Sequence, residues 1–428
     1  MRCYCPLLCF IAITKESRVI GKRVLAAIEG SSRPMRERSP VTAAGLQVQL
    51  LGSPAEMSAL ARECDELAGS MRPRVPFATS TWLALWWRHY SEHRLLVNDR
   101  FFVHTLRDAS GRLCALAPLM LSERPGTGPL RARTLAYFGG DKSITELRGM
   151  ICAPDLEGPA VRALLAHFGS RGDQWDWFTW NGVRPDTEAH RALDSAQNFH
   201  WTRATTDYVL PLRGSWDEFR ASRSRNIKES LRKCYNSLKR DGHEFRFRVV
   251  SGPGELPPAL ARFIELHALR ADSSVLVPHA NVFAEHRARD LLHGLAASPS
   301  KALSVHVFQL EIAGQVVAAR LGFVLEDELY LYFSGFEPAW AKYSVMTTTV
   351  AETIKWAIEC GFRAVNLSPG TDVSKTRWGA SAITTHNGVL VSPERRGQLV
   401  FRVLTELNER SQQGKVLGSL VDRARRLG

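Results

Sequence analysis

The chain has 428 residues, of which 45% are hydrophobic and 23% are charged, as in ordinary globular proteins. This length exceeds that of a usual single domain, so it predicts two domains, each large enough to bury a hydrophobic core. No apolar run is long enough to cross a bilayer, which excludes a membrane-spanning helix.

The net charge of +13 is concentrated in two segments. Residues 1–40 carry eight Lys or Arg against three acidic residues, and residues 213–248 carry eleven against five. The rest of the chain is nearly neutral, which excludes a nucleic-acid-binding surface along a whole face. We expect a disordered basic N-terminal tail at residues 1–44 and a basic helix near the middle of the chain.

None of the eight cysteines has Cys-x-x-Cys spacing or a partnering pair of histidines. This pattern indicates reduced thiols and no metal site. The apolar run Cys5–Ile13 is short and has no small-residue cleavage site after it, so we expect a cytoplasmic protein. The first residues are alternatively an upstream extension of a protein that starts at Met35 or Met57.

Three tryptophans, Trp82, Trp86 and Trp87, have helical spacing within residues 79–90. We interpret this stripe as core packing, because burying such rings is strongly stabilising. In the rest of the first half, alternation and turn residues predict further strands and helices. These are strands at 46–51, 101–107, 112–121, 134–140 and 175–180, and helices at 53–68 and 160–168.

A capping box at Ser215 and Glu218 follows a strand at 207–212 and predicts a basic helix that runs to about Arg240. On a helical wheel its apolar residues share one face and its cations an adjacent one. The cationic edge is either a solvated face or a site for an anionic group, with Arg225 and Arg232 as the first candidates for phosphate contact. The apolar face consists of Ile227, Leu231, Cys234 and Leu238, and the cationic edge of Arg225, Lys228, Arg232 and Lys239.

The next helix, at about 255–269, ends in Leu266-His267-Ala-Leu-Arg270. Histidine is the side chain best suited to exchange a proton near neutral pH, although a lone histidine on an amphipathic helix is usually structural. His267 is therefore a candidate catalytic residue, and Arg270 a candidate for substrate binding.

Residues 303–379 combine two patterns. Strand-like runs at 303–312, 315–325 and 328–335 are separated by two-residue breaks, which permit only an antiparallel meander. A helical stripe then begins at Met346, with Ser344 as the expected N-cap and Gly361 just past the end. A short strand at 364–367 and a polar loop at 368–379 complete the segment, and a basic helix at about 396–410 follows it.

Two sequences in this segment resemble the GNAT superfamily, and more closely its CelD-like and FemAB-like acyltransferases. They are Ser334-Gly-Phe-Glu-Pro-Ala-Trp-Ala-Lys-Tyr-Ser344 and Asp372-x-x-Lys375-x-Arg377-Trp378-Gly379. Similarity covers about residues 45–390. The resemblance implies an α+β fold of two tandem GNAT-like domains, each a mixed, mostly antiparallel sheet flanked by helices. We expect them at 45–212 and 213–392, with a basic helical tail at 393–428.

The first half repeats the element order of the second but has no counterpart of the Lys-x-Arg-Trp-Gly run. We therefore expect the first half to be a non-catalytic partner domain and the second half to carry the reaction.

The resemblance also implies a site for acyl transfer. In GNAT folds a helix N-terminus holds the carrier phosphates, which here points to Lys342, Tyr343, Ser344 and Val345. The usual glycine-rich signature is absent there, because bulky Tyr343 and Val345 stand in the glycine positions. Lys375 would stabilise the oxyanion or contact the acyl donor, and Arg377 would hold a substrate phosphate or carboxylate. The general base stays open between Asp372, His267 and Tyr343.

Three functions remain in competition. The first is an N-acyltransferase that uses acyl-CoA and acts on a small-molecule or glycan amine, such as an amino sugar in polysaccharide or cell-envelope synthesis. The second takes its donor from aminoacyl-tRNA, as FemAB-like enzymes do. The third is a catalytically inactive binding module for anionic polysaccharide or a membrane surface, which the missing glycine signature favours.

Overall fold

A computed structural model describes residues 41–124, 131–139, 144–146, 149–273, 280–370 and 373–413. Residues 1–40 and Asp372 lie outside these ranges, so the predicted tail and one candidate base have no structural account. The strands are β1 Val41–Ala43, β2 Leu46–Leu50, β3 His93–Arg94, β4 Val97–Phe101, β5 His104–Arg107, β6 Leu113–Ala117, β7 Leu119–Arg124, β8 Ala132–Tyr137, β9 Ile151–Cys152, β10 Trp177–Val183, β11 Phe199–Pro211, β12 Phe245–Val250, β13 Ser304–Ile312, β14 Gln315–Leu325, β15 Glu328–Phe336, β16 Ala364–Pro369 and β17 Ser381–Val391.

The helices pack on both faces of the sheets that these strands form. They are α1 Pro54–Ala59, α2 Ala61–Ser70, α3 Ser80–Tyr90, α4 Glu157–Gly169, α5 Glu188–Asp194, α6 Trp216–Ala221, α7 Arg225–Arg240, α8 Leu256–Ala271, α9 His286–Ala297, α10 Val345–Glu359, α11 Val373–Thr376 and α12 Arg395–Gln413.

The strands form two sheets. Five of them lie in the order β1-β2-β5-β6-β9, and the other twelve in the order β12-β13-β14-β15-β16-β11-β17-β10-β8-β7-β4-β3. Among the described strands, two pairs run parallel, β15 with β16 and β8 with β10, and the remaining pairs are antiparallel. The predicted α+β class with mostly antiparallel sheets is confirmed.

Each half contains the same sequence of pairings. In the second half the predicted meander forms as β13, β14 and β15, and its turns at Ala313 and Glu326 adopt positive φ, as two-residue hairpin turns require. The parallel strand β16 follows after α10. In the first half, antiparallel β7 and β8 are followed by α4 and parallel β10. The expected internal similarity is therefore visible in the topology.

The sheet is continuous across the two halves. Strand β11 pairs with β16 over Asp207–Pro211 and with β17 over Phe199–Val209, and β17 pairs on its other edge with β10 of the first half. The connecting segment is thus itself the central strand of the twelve-stranded sheet.

Three expected boundaries are wrong. The run at 112–121 is two strands in different sheets, because Pro118 between β6 and β7 has no N–H to continue a ladder. The ordered chain begins before residue 45, since β1 pairs with β2 across a hairpin. The basic helix is two helices, α6 and α7, separated at Ser222–Ser224.

Burial confirms two predicted packing faces. Trp82 and Trp86 on α3 are buried, and Trp82 packs edge-to-face on Phe323 of the second half. The four apolar residues predicted for the inner face of α7 are all buried. They are Ile227, Leu231, Cys234 and Leu238.

Helix α8 lies directly on β15. A Cβ atom added at Gly335 would be 2.3 Å from the backbone nitrogen of His267, closer than real contacts allow. Only glycine permits this separation between helix and strand.

Gly335→Ala should therefore destabilise the fold by about 1–3 kcal/mol, because backbone cannot move aside as a flexible side chain can. We expect a lower Tm in thermal unfolding. The control is Gly252→Ala, where a Cβ meets nothing within 4 Å. Equal melting temperatures for the two variants would contradict the close approach of α8.

Four histidines of the core have lowered pKa values, and burial is the main cause for each: His104, His167, His267 and His306. Burial lowers the pKa of His104 to about 3. Such histidines are neutral when folded but take up protons when unfolded below their ordinary pKa of about 6.5.

Stability should therefore fall as pH drops below about 6.5, by up to about 1.4 kcal/mol per pH unit for each such histidine. The measurement is Tm between pH 8 and pH 5. His267→Gln, which cannot take up this proton, should reduce the slope even if it lowers Tm at pH 8. An unchanged slope in this variant would show that His267 already titrates normally in the folded protein.

Candidate functional site

A gap opens between the parallel strands β15 and β16. The strands pair only over Glu328–Tyr330 and Ala364–Asn366, after which β15 continues to Phe336 and β16 to Pro369 without pairing to each other. From Tyr330 to Phe336 the gap is roughly 20 Å long, at about 3.3 Å per strand residue. We call the end at Tyr330 and Asn366 the closed end, and the end near Phe336 the open end.

Asn366 marks the closed end with an unused hydrogen-bond donor. Its side chain is 1% exposed, and its Oδ1 accepts a hydrogen bond of 2.8 Å from the backbone N–H of Ser368. Its Nδ2 has no hydrogen-bond partner within the described residues. An unsatisfied buried donor of this kind costs about 1–3 kcal/mol. The amide is therefore free to donate to a group that enters the gap.

Tyr330 lies opposite Asn366 and is fixed in place. Its ring is buried and makes edge-to-face contacts with Phe77 at 5.2 Å and Tyr332 at 5.5 Å. Its hydroxyl donates to Oε2 of Glu146 at 2.7 Å. A carboxylate of the first half thus reaches the closed end.

The open end is bordered by the N-terminus of α10. Ser344 occupies the predicted N-cap position, but its φ of 55° is left-handed and its side chain makes no capping hydrogen bond. Ser344 is therefore the N-cap residue, as expected, but the expected side-chain hydrogen bond is not formed. The helix end has no side-chain cap, so its N–H groups and dipole favour an anion.

Arg377 reaches this helix end. Its Nη2 donates to Oγ1 of Thr347, in the first turn of α10, at 2.8 Å, and its guanidinium lies over the ring of Trp378. An anion placed between a cation and a helix N-terminus is attracted by both. The arrangement therefore suits a phosphate.

Lys375 and Arg377 do not alternate along an extended run, as the sequence suggested. Lys375 belongs to the one-turn helix α11, and its ammonium donates to the Ser368 hydroxyl and the Pro369 carbonyl at the end of β16. The two cations therefore contact different elements, because two positions in a helical turn place side chains about 200° apart. Arg377, rather than Lys375, approaches the start of α10.

The four residues expected to cradle the donor divide into two groups. Tyr343 and Val345 are buried, and the Tyr343 hydroxyl donates to Asp241 at 2.9 Å. Lys342 and Ser344 are exposed, and the Lys342 ammonium lies over the Tyr343 ring. The side chains of Tyr343 and Val345 thus belong to the core, and contact with a donor there falls to the backbone, Lys342 and Ser344.

His267 and Arg270 hold α8 against β15. The ring nitrogens of His267 lie 2.9 Å from the Ser334 carbonyl and 3.2 Å from the Ala280 carbonyl, and burial lowers its pKa. Arg270 donates to the Ser334 hydroxyl. These contacts give His267 a structural role, since its nitrogens face backbone carbonyls rather than the gap.

Helix α7 lies beside the start of α10, but its cations face away from it. The Cys234 thiol is within hydrogen-bonding distance of Ser344 and Thr347, and burial raises its pKa. At 100° per residue, Arg225 and Arg232 are on nearly the opposite side of the helix from Cys234. Arg225 is exposed and pairs with Glu229 at 2.7 Å. The two predicted phosphate ligands therefore form an outer basic surface instead.

Sequence reasoning missed Asn366 and Glu146. The sequence does indicate Asn366, because burying a polar amide in the apolar run Ala364-Val-Asn-Leu367 costs free energy unless the amide has a hydrogen-bonding role. No pattern in the sequence indicates Glu146, since it does not belong to a periodic helix or strand. Only the fold shows that it meets Tyr330.

No helix within the described ranges combines the length and apolar character that crossing a membrane requires. A search of curated proteins found no sequence match to the chain.

Comparison with known families and structures agrees with this geometry. Residues 224–376 match the model of the acetyltransferase (GNAT) domain. The crystal structure of FemX superposes with a TM-score of 0.50 at 11% identity, covering 76% of this chain and 95% of that one.

Two further structures are similar at lower scores. L-PGS from Bacillus licheniformis has a TM-score of 0.44 at 13% identity, covering 84% of this chain and 98% of its own. A tandem GNAT protein from the clavulanic acid biosynthesis pathway also has 0.44, at 12% identity, covering 82% and 99%. Residues 224–376 therefore match a GNAT domain, and the chain has a fold similar to that of FemX.

Proposed function

We propose that the protein is an N-acyltransferase that transfers an acyl group from acyl-CoA to a primary amine. The observation that carries this proposal is the gap between β15 and β16, which has a phosphate-compatible open end and a buried, unused N–H donor at its closed end. Amide formation from a thioester needs a holder for the carrier and a donor for the developing oxyanion. The gap offers both.

The donor would bind with its diphosphate at the open end. There the uncapped amides of α10 and the guanidinium of Arg377 supply complementary charge, and Lys342 and Ser344 are exposed beside them. The acyl chain would extend along β15 toward Tyr330. In this arrangement Lys375 fixes the end of β16 through Ser368 and does not contact the oxyanion.

Asn366 would stabilise the oxyanion. Its Nδ2 is a fixed donor in a water-poor position, and its orientation is set by the Ser368 N–H on its Oδ1. Such a donor stabilises the charge that develops on the carbonyl oxygen without reorganising during the reaction. This assigns to Asn366 the role that the sequence suggested for Lys375.

For the acceptor we propose an amino sugar or related glycan amine, acylated in the cytoplasm during polysaccharide or cell-envelope synthesis. This part of the proposal rests on the resemblance to CelD-like and FemAB-like enzymes.

A second candidate donor is aminoacyl-tRNA. The exposed cations of α7 favour it, since Arg225, Lys228, Arg232 and Lys239 form an outward basic surface suited to a polyanion. Titration with tRNA over a range of salt concentrations distinguishes the two donors. Tight binding that weakens steeply with salt supports tRNA, whereas saturable acetyl-CoA binding supports the first proposal.

Arg377→Ala should weaken acetyl-CoA binding about 10- to 100-fold, because a charge-assisted hydrogen bond to phosphate is worth about 1.5–3 kcal/mol. Isothermal titration calorimetry measures this directly. Lys355→Ala is the matched control, since Lys355 lies near the other end of α10 and pairs with Glu359. If both variants bind like the wild type, the open end does not hold the donor phosphates.

Asn366→Ala should lower kcat about 100- to 1,000-fold and leave the Kd for acetyl-CoA unchanged, as expected for a lost oxyanion donor. Release of CoA thiol in the presence of glucosamine provides the assay. Asn98→Ala on β4 removes a comparable side chain that bonds Glu123 instead. Wild-type kcat in the Asn366 variant would exclude the assigned role.

A further inference from the structure

The first half of the chain contributes a carboxylate to the gap in the second half. Glu146 lies in the described segment 144–146, where Ile144 and Thr145 are buried, and its Oε2 accepts the hydrogen bond from Tyr330. The two residues are 184 positions apart. The contact therefore depends entirely on the packing of one half against the other.

The contact with Glu146 lies at the closed end of the gap, because Tyr330 is there. Tyr330 belongs to the last residue pair before β15 and β16 separate, and its partner in that pair is Asn366. One side of the closed end thus presents an N–H donor, and the other presents a tyrosine hydroxyl bound to a carboxylate. Acyl transfer to an amine needs both an oxyanion donor and a proton acceptor near the reacting carbonyl.

Within the part of the chain that the structure describes, the other candidate bases are engaged elsewhere. The nitrogens of His267 face two backbone carbonyls, and the Tyr343 hydroxyl donates to Asp241. Glu328, two residues before Tyr330, accepts from the Arg74 backbone and from Arg363 at the paired part of the strands. Burial raises the pKa of Glu328, and both arginines oppose that rise.

We propose that Glu146 is the proton acceptor of the reaction and that Tyr330 holds its carboxylate at the closed end. This inference rests on the proposed acyl transfer and identifies the acceptor as an amine that arrives as an ammonium ion. Glu146 would attract that cation before accepting its proton, which makes it a determinant of substrate charge as well.

The ammonium gives one proton to the Glu146 carboxylate, and the nitrogen lone pair forms the C–N bond at the thioester carbonyl. The C–S bond breaks with its electron pair going to sulfur, and the thiolate takes the second proton from nitrogen. Glu146 then releases its proton to water, leaving one amide, one thiol and one proton.

On this assignment the first half is part of the active site. The sequence suggested a non-catalytic partner, because the first half lacks the Lys-x-Arg-Trp-Gly run of the second. A tandem arrangement in which one half holds the donor and the other supplies the base accounts for that asymmetry.

The test compares two acceptors in the full chain with acetyl-CoA, namely glucosamine, a protonated primary amine, and hydroxylamine, which is largely neutral at pH 7.5. Glu146→Gln should lower kcat/KM for glucosamine at least about 100-fold, within the range of general-base catalysis. The loss for hydroxylamine should be less than about one tenth of that, since attack then needs no prior deprotonation. Tyr330→Phe should also lower kcat/KM more for glucosamine than for hydroxylamine, but by a smaller factor, because Glu146 is still present.

Tyr235 and Glu352 provide a matched control. They form another partly buried tyrosine–glutamate hydrogen bond, 2.5 Å long, between α7 and α10. Tyr235→Phe and Glu352→Gln should keep kcat/KM within about threefold of the wild type. Equal losses for both acceptors in Glu146→Gln would indicate structural damage and overturn the assignment. So would unchanged kinetics.

Titration with acetyl-CoA distinguishes a failure of the proposed acyltransferase function from a failure of the Glu146 assignment. Wild-type protein that binds no acetyl-CoA refutes the proposed function and this assignment with it. Glu146→Gln that binds acetyl-CoA normally but loses turnover of glucosamine supports the assignment. Wild-type protein that binds acetyl-CoA but acylates neither acceptor leaves the donor site standing and counts against an ammonium acceptor at Glu146.

Discussion

The brief parallel pairing of β15 and β16 is the constraint on which the rest of the site depends. Three residues on each strand hydrogen-bond, and beyond them the strands separate. A parallel neighbour can be reached only by a crossover, here α10, and the start of that helix falls where β15 ends. One topological feature therefore creates the gap and places a helix N-terminus at its open end.

The paired end of these strands is held by contacts between the halves. Arg74 of the first half donates its backbone N–H to Glu328 and pairs with Glu326 at 2.7 Å, while Phe77 packs on Tyr330. Strand β11 lies on the other side of β16 and continues the sheet into the first half. The closed end is thus fixed from both sides, which suits a site whose donor groups must not move during catalysis.

Charge is arranged differently at the two ends of the gap. At the open end, Arg377 and the uncapped helix α10 both favour an anion. At the closed end the neutral amide Asn366 is the strand partner of Tyr330, whose hydroxyl donates to the Glu146 carboxylate. The outward cations of α7 lie at neither end of the gap, so they have no part in the chemistry proposed there.

Local patterns in the sequence predict most of the secondary structure. Alternating residues and two-residue turns defined the meander β13–β15, and the apolar spacing of α7 identified its buried face, because both patterns depend only on residues a few positions apart. A resemblance in two short motifs indicated the fold. It also pointed to the start of α10, although Arg377 rather than Lys375 contacts that helix end.

The residues that meet in the gap are brought together by long-range packing. Asn366 is left with an unused donor because β15 separates from β16 just beyond it, and Glu146 reaches Tyr330 because one half packs on the other. No local pattern encodes either outcome. Contacts between residues far apart in sequence depend on the packing of the whole sheet. Local sequence patterns and propensities do not specify that packing.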